Sequence, residues 1–399
     1  MGQRPSTPAI ETSHDFEIII SGAGLAGLAL ARRLEQLGFR RLRIFERDAS
    51  LACRQQGYSL TIQEPGKRAL RRLGLLDSVR ASATSAGGGQ RILHAADGRC
   101  LEGRSSEGEG EPKAAKTGGK RNLYVPRQEL RRILAESLET QIAWGEHVTG
   151  YRADGALEVQ LSGHKCTTAS LLVACDGVAS AVRRQKLEDE LLYLGVCMIN
   201  GLVDTCPFPA CRAGNLQLVD GRARMFLKPF GAGAMWQLTF PAEPSEVDRL
   251  KTCPKEELQR RALEETKQWL PAYRDMVQAT ELSTLRGGGL FDHDPQACGH
   301  AGPANNAVAV IGDAAHAMSP FMGQGANQAL TDAVLLAECL DDARKNGGLD
   351  PMSLHTCLAS FHKSMAERVQ QYVLESRRRV EFFHRDLRDF ASGLKRKKI

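Results

Sequence analysis

No CxxC pair occurs among the eleven cysteines, and no secretory signal pattern precedes them. A disulfide framework is therefore not expected, and a reducing, cytoplasmic setting is. Cys206 and Cys211 lack the spacing of a zinc pair, so no metal is expected. No apolar run approaches the ~18 residues that a membrane span requires. An excess of one charge is also missing: 53 Lys and Arg stand against 47 Asp and Glu, a formal net charge of +6. That surplus suits an anionic cofactor. It does not suit a reader of nucleic acid, because the arginines are scattered over several predicted helices with no interleaved aromatics. A GxSxG elbow is absent, and Asp313, His316 and Ser319 lie too close along one loop for a hydrolase triad. His316 reads instead as a packed, hydrogen-bonded loop histidine, and His293, between Asp292 and Asp294, as a surface turn. What remains is an ordinary globular composition, 42% hydrophobic and 25% charged over 399 residues, long enough for two or three domains.

Three glycine-bearing turns stand out against this background. The apolar run 17–21 reads as a strand that leads into Gly22-x-Gly24-x-x-Gly27 and a helix over 28–37. The glycines answer a tight turn, close approach of backbone to a pyrophosphate, and close packing of helix on strand. A second strand, 42–45, ends in Glu46 at the separation where an acid meets an adenosine ribose. The run 169–175 is another buried strand, ending in Asp176-Gly177 before a short basic helix. The strand 307–311 ends in Gly312-Asp313, and Gly323-Gln324-Gly325-Ala326-Asn327 opens a helix over 326–340. Strand, glycine loop and helix N-terminus together form an anion-binding format, with free N–H groups and the positive end of the helix dipole aimed at the ligand.

Elsewhere the pattern is plainer. Residues 1–14 form a polar leader, expected to be disordered, whose Met1-Gly2-Gln3-Arg4-Pro5-Ser6 also fits the loose myristoylation pattern. Arg47 and Arg54 either sit on a phosphate or are solvated cations. Residues 81–120 read as an excursion whose Gly/Ser/Glu/Lys-rich part, 103–120, is a mobile loop. Arg127 falls in the first turn of a helix, where a cation opposes the dipole and an anionic ligand would justify it. Strands over 191–203, 215–219, 223–227, 234–240 and 281–290 alternate as a sheet with one covered face, and Gln217, Met225 and Trp236 either line a cavity there or are plain core. A long amphipathic helix over 352–383 is expected to bridge the domains, and the tail 395–398 to be solvated.

Taken together, Gly22-x-Gly24-x-x-Gly27 with Glu46, Asp176-Gly177 before Val178-Ala179-Ser180-Ala181-Val182-Arg183, and Gly312-Asp313-Ala314-Ala315-His316 with Pro320-x-x-Gly323-Gln324-Gly325 resemble the single-component FAD-dependent aromatic hydroxylases. These class A flavoprotein monooxygenases include salicylate and p-hydroxybenzoate hydroxylases, kynurenine 3-monooxygenases and the tetracycline-inactivating monooxygenases. The pattern is most similar to the last branch in Glu46-Arg47-Asp48, Arg54, the 130–138 helix and residues 169–183.

The resemblance implies an α/β fold: a Rossmann-like, glutathione-reductase-like FAD-binding domain (15–80, 121–186 and 291–345), a sheet-based substrate domain (187–290) and a C-terminal bridging helix (350–390). It implies FAD, with NAD(P)H and O2 as co-substrates, and hydroxylation of a small aromatic or polyketide-like molecule through a flavin C4a-hydroperoxide. No side-chain nucleophile is needed, because the cofactor carries the chemistry. Gly22, Gly24 and Gly27 would receive the pyrophosphate turn and Glu46 the adenosine ribose. Arg47 would face a phosphate, Arg127 the pyrophosphate or ribityl side, and Asp313 a ribityl hydroxyl. Gly323, Gln324, Gly325, Ala326 and Asn327 would present backbone to the isoalloxazine, with Pro320 and Phe321 beside it. Asp176 is implicated in FAD and nicotinamide binding, and Arg54 in NADPH contact. Tyr58 and Thr61 depart from the branch, which has a glycine and an acidic residue there, and Trp236 stands where it has a histidine. The expected substrate is therefore smaller or flatter than tetracycline and stacked on Trp236. The chain is expected to be a monomer or weak dimer, with a non-hydroxylating FAD reductase or a flavin-binding redox regulator as the alternatives. A flavin halogenase is disfavoured, since Trp236 has no tryptophan two positions away.

Overall fold

The computed structural model describes residues 16–53, 58–83, 91–102, 122–187, 189–205, 214–294, 296–297 and 307–385. The leader 1–14, Arg54, the 103–120 loop, Cys206, Cys211 and the tail 395–398 lie outside the described residues.

Three isoleucines in a row leave no polar face, and β1 (Ile18–Ser21) is accordingly buried on both sides, as the central strand of a parallel sheet must be. Helix α1 (Leu25–Gln36) returns the chain, so that β2 (Leu42–Glu46) pairs parallel to β1 with Ile18 opposite Leu42. Next come β3 (Ser59–Ile62), α2 (Glu64–Arg72), α3 (Leu76–Ala81), β4 (Arg91–His94) and β5 (Cys100–Glu102). Strand β6 (Leu123–Pro126) pairs antiparallel with β3 and leads straight into α4 (Arg127–Glu136). Then follow β7 (Ile142–Trp144), β8 (Val148–Arg152), β9 (Leu157–Leu161), β10 (Lys165–Ala169), β11 (Leu171–Ala174) and α5 (Ala181–Leu187). Strands β8, β9 and β10 form a three-stranded antiparallel sheet.

The second half begins with β12 (Leu192–Val203), β13 (Leu216–Val219), β14 (Arg224–Phe230) and β15 (Gly233–Pro241). Helices α6 (Pro244–Thr252), α7 (Lys255–Glu265) and α8 (Pro271–Gln278) cover this sheet, and β16 (Arg286–Asp292) completes that part. The chain closes with β17 (Val308–Val310), α9 (Asp313–His316), α10 (Gly325–Asn346) and α11 (Pro351–Phe383). The five-stranded sheet, in the order β17-β11-β1-β2-β7, is parallel throughout. The seven-stranded sheet runs β16-β12-β15-β14-β13-β4-β5. Residues 91–102, placed in an excursion by the sequence, thus extend the second sheet: β4 lies parallel to β13, with Arg91 opposite Leu216. Strands of three and four residues cannot hold themselves, and the edge of a larger sheet supplies their hydrogen bonds.

One apolar core surrounds the parallel sheet, and a second lies between the seven-stranded sheet and α6–α8. A smaller third cluster gathers Ile92, Val196, Val219, Leu290, Phe321, Val380 and Phe383. Helix α11 joins the first core through Leu354, Leu358, Phe361, Met365 and Val369, and its last turns enter the third. Its start is fixed by Pro351 at the first helical position and by Asp350, whose Oδ1 accepts from the Met352 and Ser353 N–H groups at 3.0 and 3.3 Å. No helix among the described residues is long and apolar enough to cross a membrane.

Candidate functional site

The β1–α1 turn is built by contact distances that exclude a side chain. At Gly22, with φ +102°, a Cβ would meet the Cys175 carbonyl oxygen at 2.7 Å; at Gly27 it would lie 2.0 Å from the Gly22 oxygen. Helix α1 can therefore approach the sheet closely, with Gly24 at its N-cap. The Ala23 N–H donates to Glu46 Oε2 at 2.8 Å, and the Asp48 N–H donates to Glu46 Oε1 at 3.0 Å. Arg131 completes the corner: its Nε donates to the Ala23 carbonyl at 2.9 Å, Nη1 to Asp48 Oδ2 at 3.0 Å, and Nη2 lies 3.5 Å from Glu46 Oε2. All three charged groups are buried. A cavity of about 340 Å³ opens here, lined by Gly22, Gly24, Glu46, Arg47, Arg127 and Asp176 among others. Its carboxylate Asp176 has Oδ1 buried with no hydrogen-bond partner, and burial raises the carboxyl above its usual range against the hydrogen bond from Ser180.

A second, larger cavity of about 750 Å³ lies between the parallel-sheet half and the seven-stranded sheet. Tyr58 lines it and carries the Arg127 guanidinium 5.7 Å from its ring centre, so this pair stands where the two cavities meet. Asp313 is exposed at the start of α9 and lines the cavity, as do Pro320, Phe321, Gly323, Gly325 and Ala326. Gly323 is left-handed at φ +60°, and α10, 22 residues long, begins at Gly325 with its N-terminus toward the cavity. Asp313 overlies that start, since a Cβ on Gly325 would lie 3.5 Å from its Oδ1.

Asn327 and Gln324 prove to brace this loop with their side chains. Asn327, fully buried, accepts from the Gln63 N–H at 2.8 Å and donates to the Thr61 and Gly323 carbonyls at 2.9 and 2.8 Å. Gln324 donates to Gln63 Oε1 at 3.0 Å and accepts from Gln328 at 3.1 Å. His316 is fully buried with Nε2 2.6 Å from Asp332 Oδ2, the same oxygen that accepts from the Gly312 N–H at 2.9 Å. Arg368 pairs with the other oxygen of Asp332. Burial would raise the Asp332 carboxyl, but His316 and Arg368 outweigh it and hold the group below its usual range. His293 is a correction to the surface-turn reading: it is 2% exposed, its N–H donates to the Ala317 carbonyl, and its ring faces Asp189.

The seven-stranded sheet supplies the far wall, and its alternation decides which residues take part. Gln217, Arg224, Phe226, Lys228, Met235 and Gln237 line the cavity. Met225 and Trp236, expected among them, point the other way and are 0% exposed in the core beneath α6–α8. Successive strand residues face opposite sides, so a choice made one position out selects the wrong face. Trp236 donates through Nε1 to Thr280 Oγ1 at 2.9 Å, which overturns the expectation of a ligand stacked on its indole. Gln217, by contrast, lines the cavity and accepts from Arg224 Nε at 2.7 Å.

Arg131, Arg224, Lys228 and Asp332 escaped the sequence reading. For two of them the signal was present: Arg224 and Lys228 fall on the same face as Phe226, opposite Met225 and Leu227, two cations on one face of an otherwise apolar strand. Arg131 and Asp332 lie inside helices and gave no pattern of their own.

A family model described as an FAD binding domain matches residues 15–200 and 304–371. Among curated relatives, 3-amino-4-hydroxybenzoate 2-monooxygenase of Streptomyces cremeus is 29% identical, over 93% of this chain and 88% of that protein. The Klebsiella pneumoniae HpxO structure complexed with FAD and uric acid superimposes with a TM-score of 0.76 at 20% identity, covering 96% of this chain and 92% of that one. The tetracycline destructase Tet(51) does so with a TM-score of 0.64 at 20% identity, covering 90% of each. The chain spans about half the length of the fungal dual O-methyltransferase/FAD-dependent monooxygenases it also matches, 45% in that of Cercospora beticola. Since its model covers more than half of the 399 residues, this chain belongs to the FAD-binding domain family.

Proposed function

We propose that this protein is an FAD-dependent monooxygenase that consumes NAD(P)H and O2 to hydroxylate a small aromatic or polyketide-like molecule. The observation that carries this reading is the pair of cavities joined at Arg127 and Tyr58, one at the glycine turn and one between α10 and the seven-stranded sheet. The residues fit FAD. The glycine turn is a cradle that a Cβ would fill, Asp176 turns an orphaned oxygen into a buried setting, and two helix N-termini are open to negative charge.

Glu46 and Arg131 would present a fixed carboxylate to the adenosine ribose, while α1, Arg47 and Arg127 would hold the pyrophosphate. Asp313 would accept from a ribityl hydroxyl. The N-terminus of α10, with the N–H groups that follow Gly325, would hold the negative charge of the reduced ring near its pyrimidine edge. When bound and reduced by a nicotinamide nucleotide, FAD supplies the activation of O2. Phe321 and Pro320 would keep water from that centre, and the sheet residues would orient the substrate ring. Arg54, outside the described residues, keeps its proposed contact with NADPH.

The test is direct. Protein purified with FAD is assayed for NAD(P)H oxidation against phenolic and polycyclic compounds under ¹⁸O2. Stimulated oxidation with one labelled oxygen in the product supports the proposal. Stimulated oxidation without label points to the reductase or regulator, and colourless protein that takes up no FAD removes the reading altogether.

A further inference from the structure

We propose that Cys339 and Cys357 form a redox-active dithiol, which hydrogen peroxide closes to a disulfide that fastens α10 to α11. This chemistry stands apart from the monooxygenase reading, since neither cysteine lines either cavity. Cys339 lies in the second half of α10 and Cys357 in the second turn of α11. Both helices are anchored in the first core, α10 by Leu336 and Leu340 and α11 by Leu354 and Leu358, so the approach of the two thiols is set by packing and not by a loose loop. Their sulfurs stand 2.7 Å apart, well inside the separation at which two thiols merely touch. A disulfide bond of about 2.05 Å requires them to close by only about 0.7 Å, which a small rotation about χ1 supplies. A metal is not the better reading: among the described residues no group of three His, Cys, Asp or Glu side chains could hold one, so the pair is not half of a zinc site. A bond of this kind is also compatible with a reducing setting, where disulfides are transient and respond to oxidant.

The two thiols differ in a way that orders the reaction. Cys339 is half-buried and Cys357 buried, so a small oxidant meets Cys339 first. The Cys339 S–H donates to the Cys357 carbonyl at 3.5 Å, which leaves the Cys357 S–H to donate to the Cys339 sulfur. That hydrogen bond favours the Cys339 thiolate and lowers its pKa, against burial and the nearby Asp342, and it raises the pKa of Cys357, which burial raises further. The Cys339 thiolate attacks one oxygen of hydrogen peroxide, the O–O bond breaks, and the departing hydroxide takes up the thiol proton as water, leaving a sulfenic acid. The Cys357 sulfur then attacks the Cys339 sulfur. An S–S bond forms, the S–O bond breaks, and hydroxide leaves with the Cys357 proton as a second water. The two thiols give up two electrons and two protons, and the peroxide that receives them ends as two waters. The helix pair is already tied toward the start of α10, where Arg368 of α11 reaches Gln328 and Asp332. The disulfide would add a second tie toward its far end.

The experiment treats the purified full-length protein with hydrogen peroxide, quenches with catalase, unfolds it in N-ethylmaleimide and maps the thiols by peptide mass spectrometry without reduction. The expected product is a Cys339–Cys357 linkage that dithiothreitol reverses. Because the bond closes a short loop in the unfolded chain, the oxidised protein should melt about 4 °C above the reduced one. In Cys357→Ser the reaction should stop at a sulfenic acid on Cys339, trapped by dimedone, and in Cys339→Ser the buried Cys357 should stay unoxidised; neither variant should show the rise in Tm. The proposal is overturned if both thiols of the wild-type protein still take N-ethylmaleimide after peroxide, if the linkage appears only when peroxide is added to unfolded protein, or if the linked protein melts no higher than the reduced one. Oxidation of Cys357 in Cys339→Ser overturns the order of attack. FAD content and oxygen incorporation judge the monooxygenase reading separately.

Discussion

Replacing Arg131 by methionine tests whether the corner beneath the glycine turn is one electrostatic unit. Methionine fills much of the same space but leaves Glu46 and Asp48, 7% and 8% exposed, without the cation that faces both. Removing one partner of a buried ion pair costs about 3–5 kcal/mol, because the remaining charge keeps its desolvation penalty. With an unfolding entropy of about 2.1 cal/mol/K per residue, a chain of 399 residues loses about 1.2 °C per kcal/mol, so Tm should fall by about 4–6 °C. Bound FAD should be lost too, since Arg131 also holds the Ala23 carbonyl at 2.9 Å and so the path of the turn. The assay is thermal unfolding followed by flavin fluorescence, run as a cycle with Asp48→Asn. The double variant should lose less than the sum of the single variants, as one uncompensated charge is then absent. Additive losses, or an Arg131→Met protein with unchanged Tm, would refute the idea that the guanidinium is what makes the two buried carboxylates tolerable.

Two further predictions concern the larger cavity. Burial lowers the Lys228 pKa to about 7 from the 10.5 of an exposed lysine, so between those values the unfolded chain holds a proton that the folded one has lost. Stability should therefore rise with pH from about 7 to 10.5 in proportion to this group, and Lys228→Met should flatten that rise; parallel Tm–pH curves for the two proteins would contradict it. Asp313→Ala should weaken FAD more than it slows the holo-enzyme that remains, read as FAD dissociation against turnover per bound flavin. A fully flavinated but inactive variant would instead place Asp313 in the chemistry.

The parallel-sheet half was readable because its signals are local. Ile18-Ile19-Ile20 declares a strand buried on both faces, and the positions of Gly22 and Gly27 are set by backbone contacts within six residues or across to Cys175. The sheet wall of the larger cavity was less readable because its meaning depends on a phase. Gln217 and Met225 were chosen together, yet Gln217 pairs with Phe226 and Leu218 with Met225 across the sheet, so the two choices lie on opposite faces. Only the register reveals it. Strand β4 was missed as a sheet member for a related cause: its partner β13 is more than a hundred residues away in sequence, and parallel pairing leaves no turn signature between them. The His316 reading did not depend on such information, since an apolar loop followed by a helix already forced the ring inward. Its partner Asp332, 16 residues on, could be found only once α10 was laid against α9.

The three glycine motifs, far apart in the chain, are tied to one another by packing and hydrogen bonds. Gly22 packs against Cys175, the residue before Asp176, so the first turn cannot move without the second strand end. From the helix that follows Asp176, Arg183 is 1% exposed and crosses to α9, where Nη1 donates to the Ala314 carbonyl at 3.1 Å and to that of Ala315, while Nε donates to Asp189 at 2.8 Å. Those carbonyls belong to the turn that carries Asp313. On its other side that turn is held by the Gly312 N–H on Asp332, which His316 and Arg368 keep ionised. Contacts through β11 and α5 thus connect the glycine turn to the turn that carries Asp313. The backbone of Asp176 joins the strand that packs on Gly22 to the helix whose Arg183 holds the Asp313 turn, and its carboxylate, hydrogen-bonded by Ser180, lines the smaller cavity.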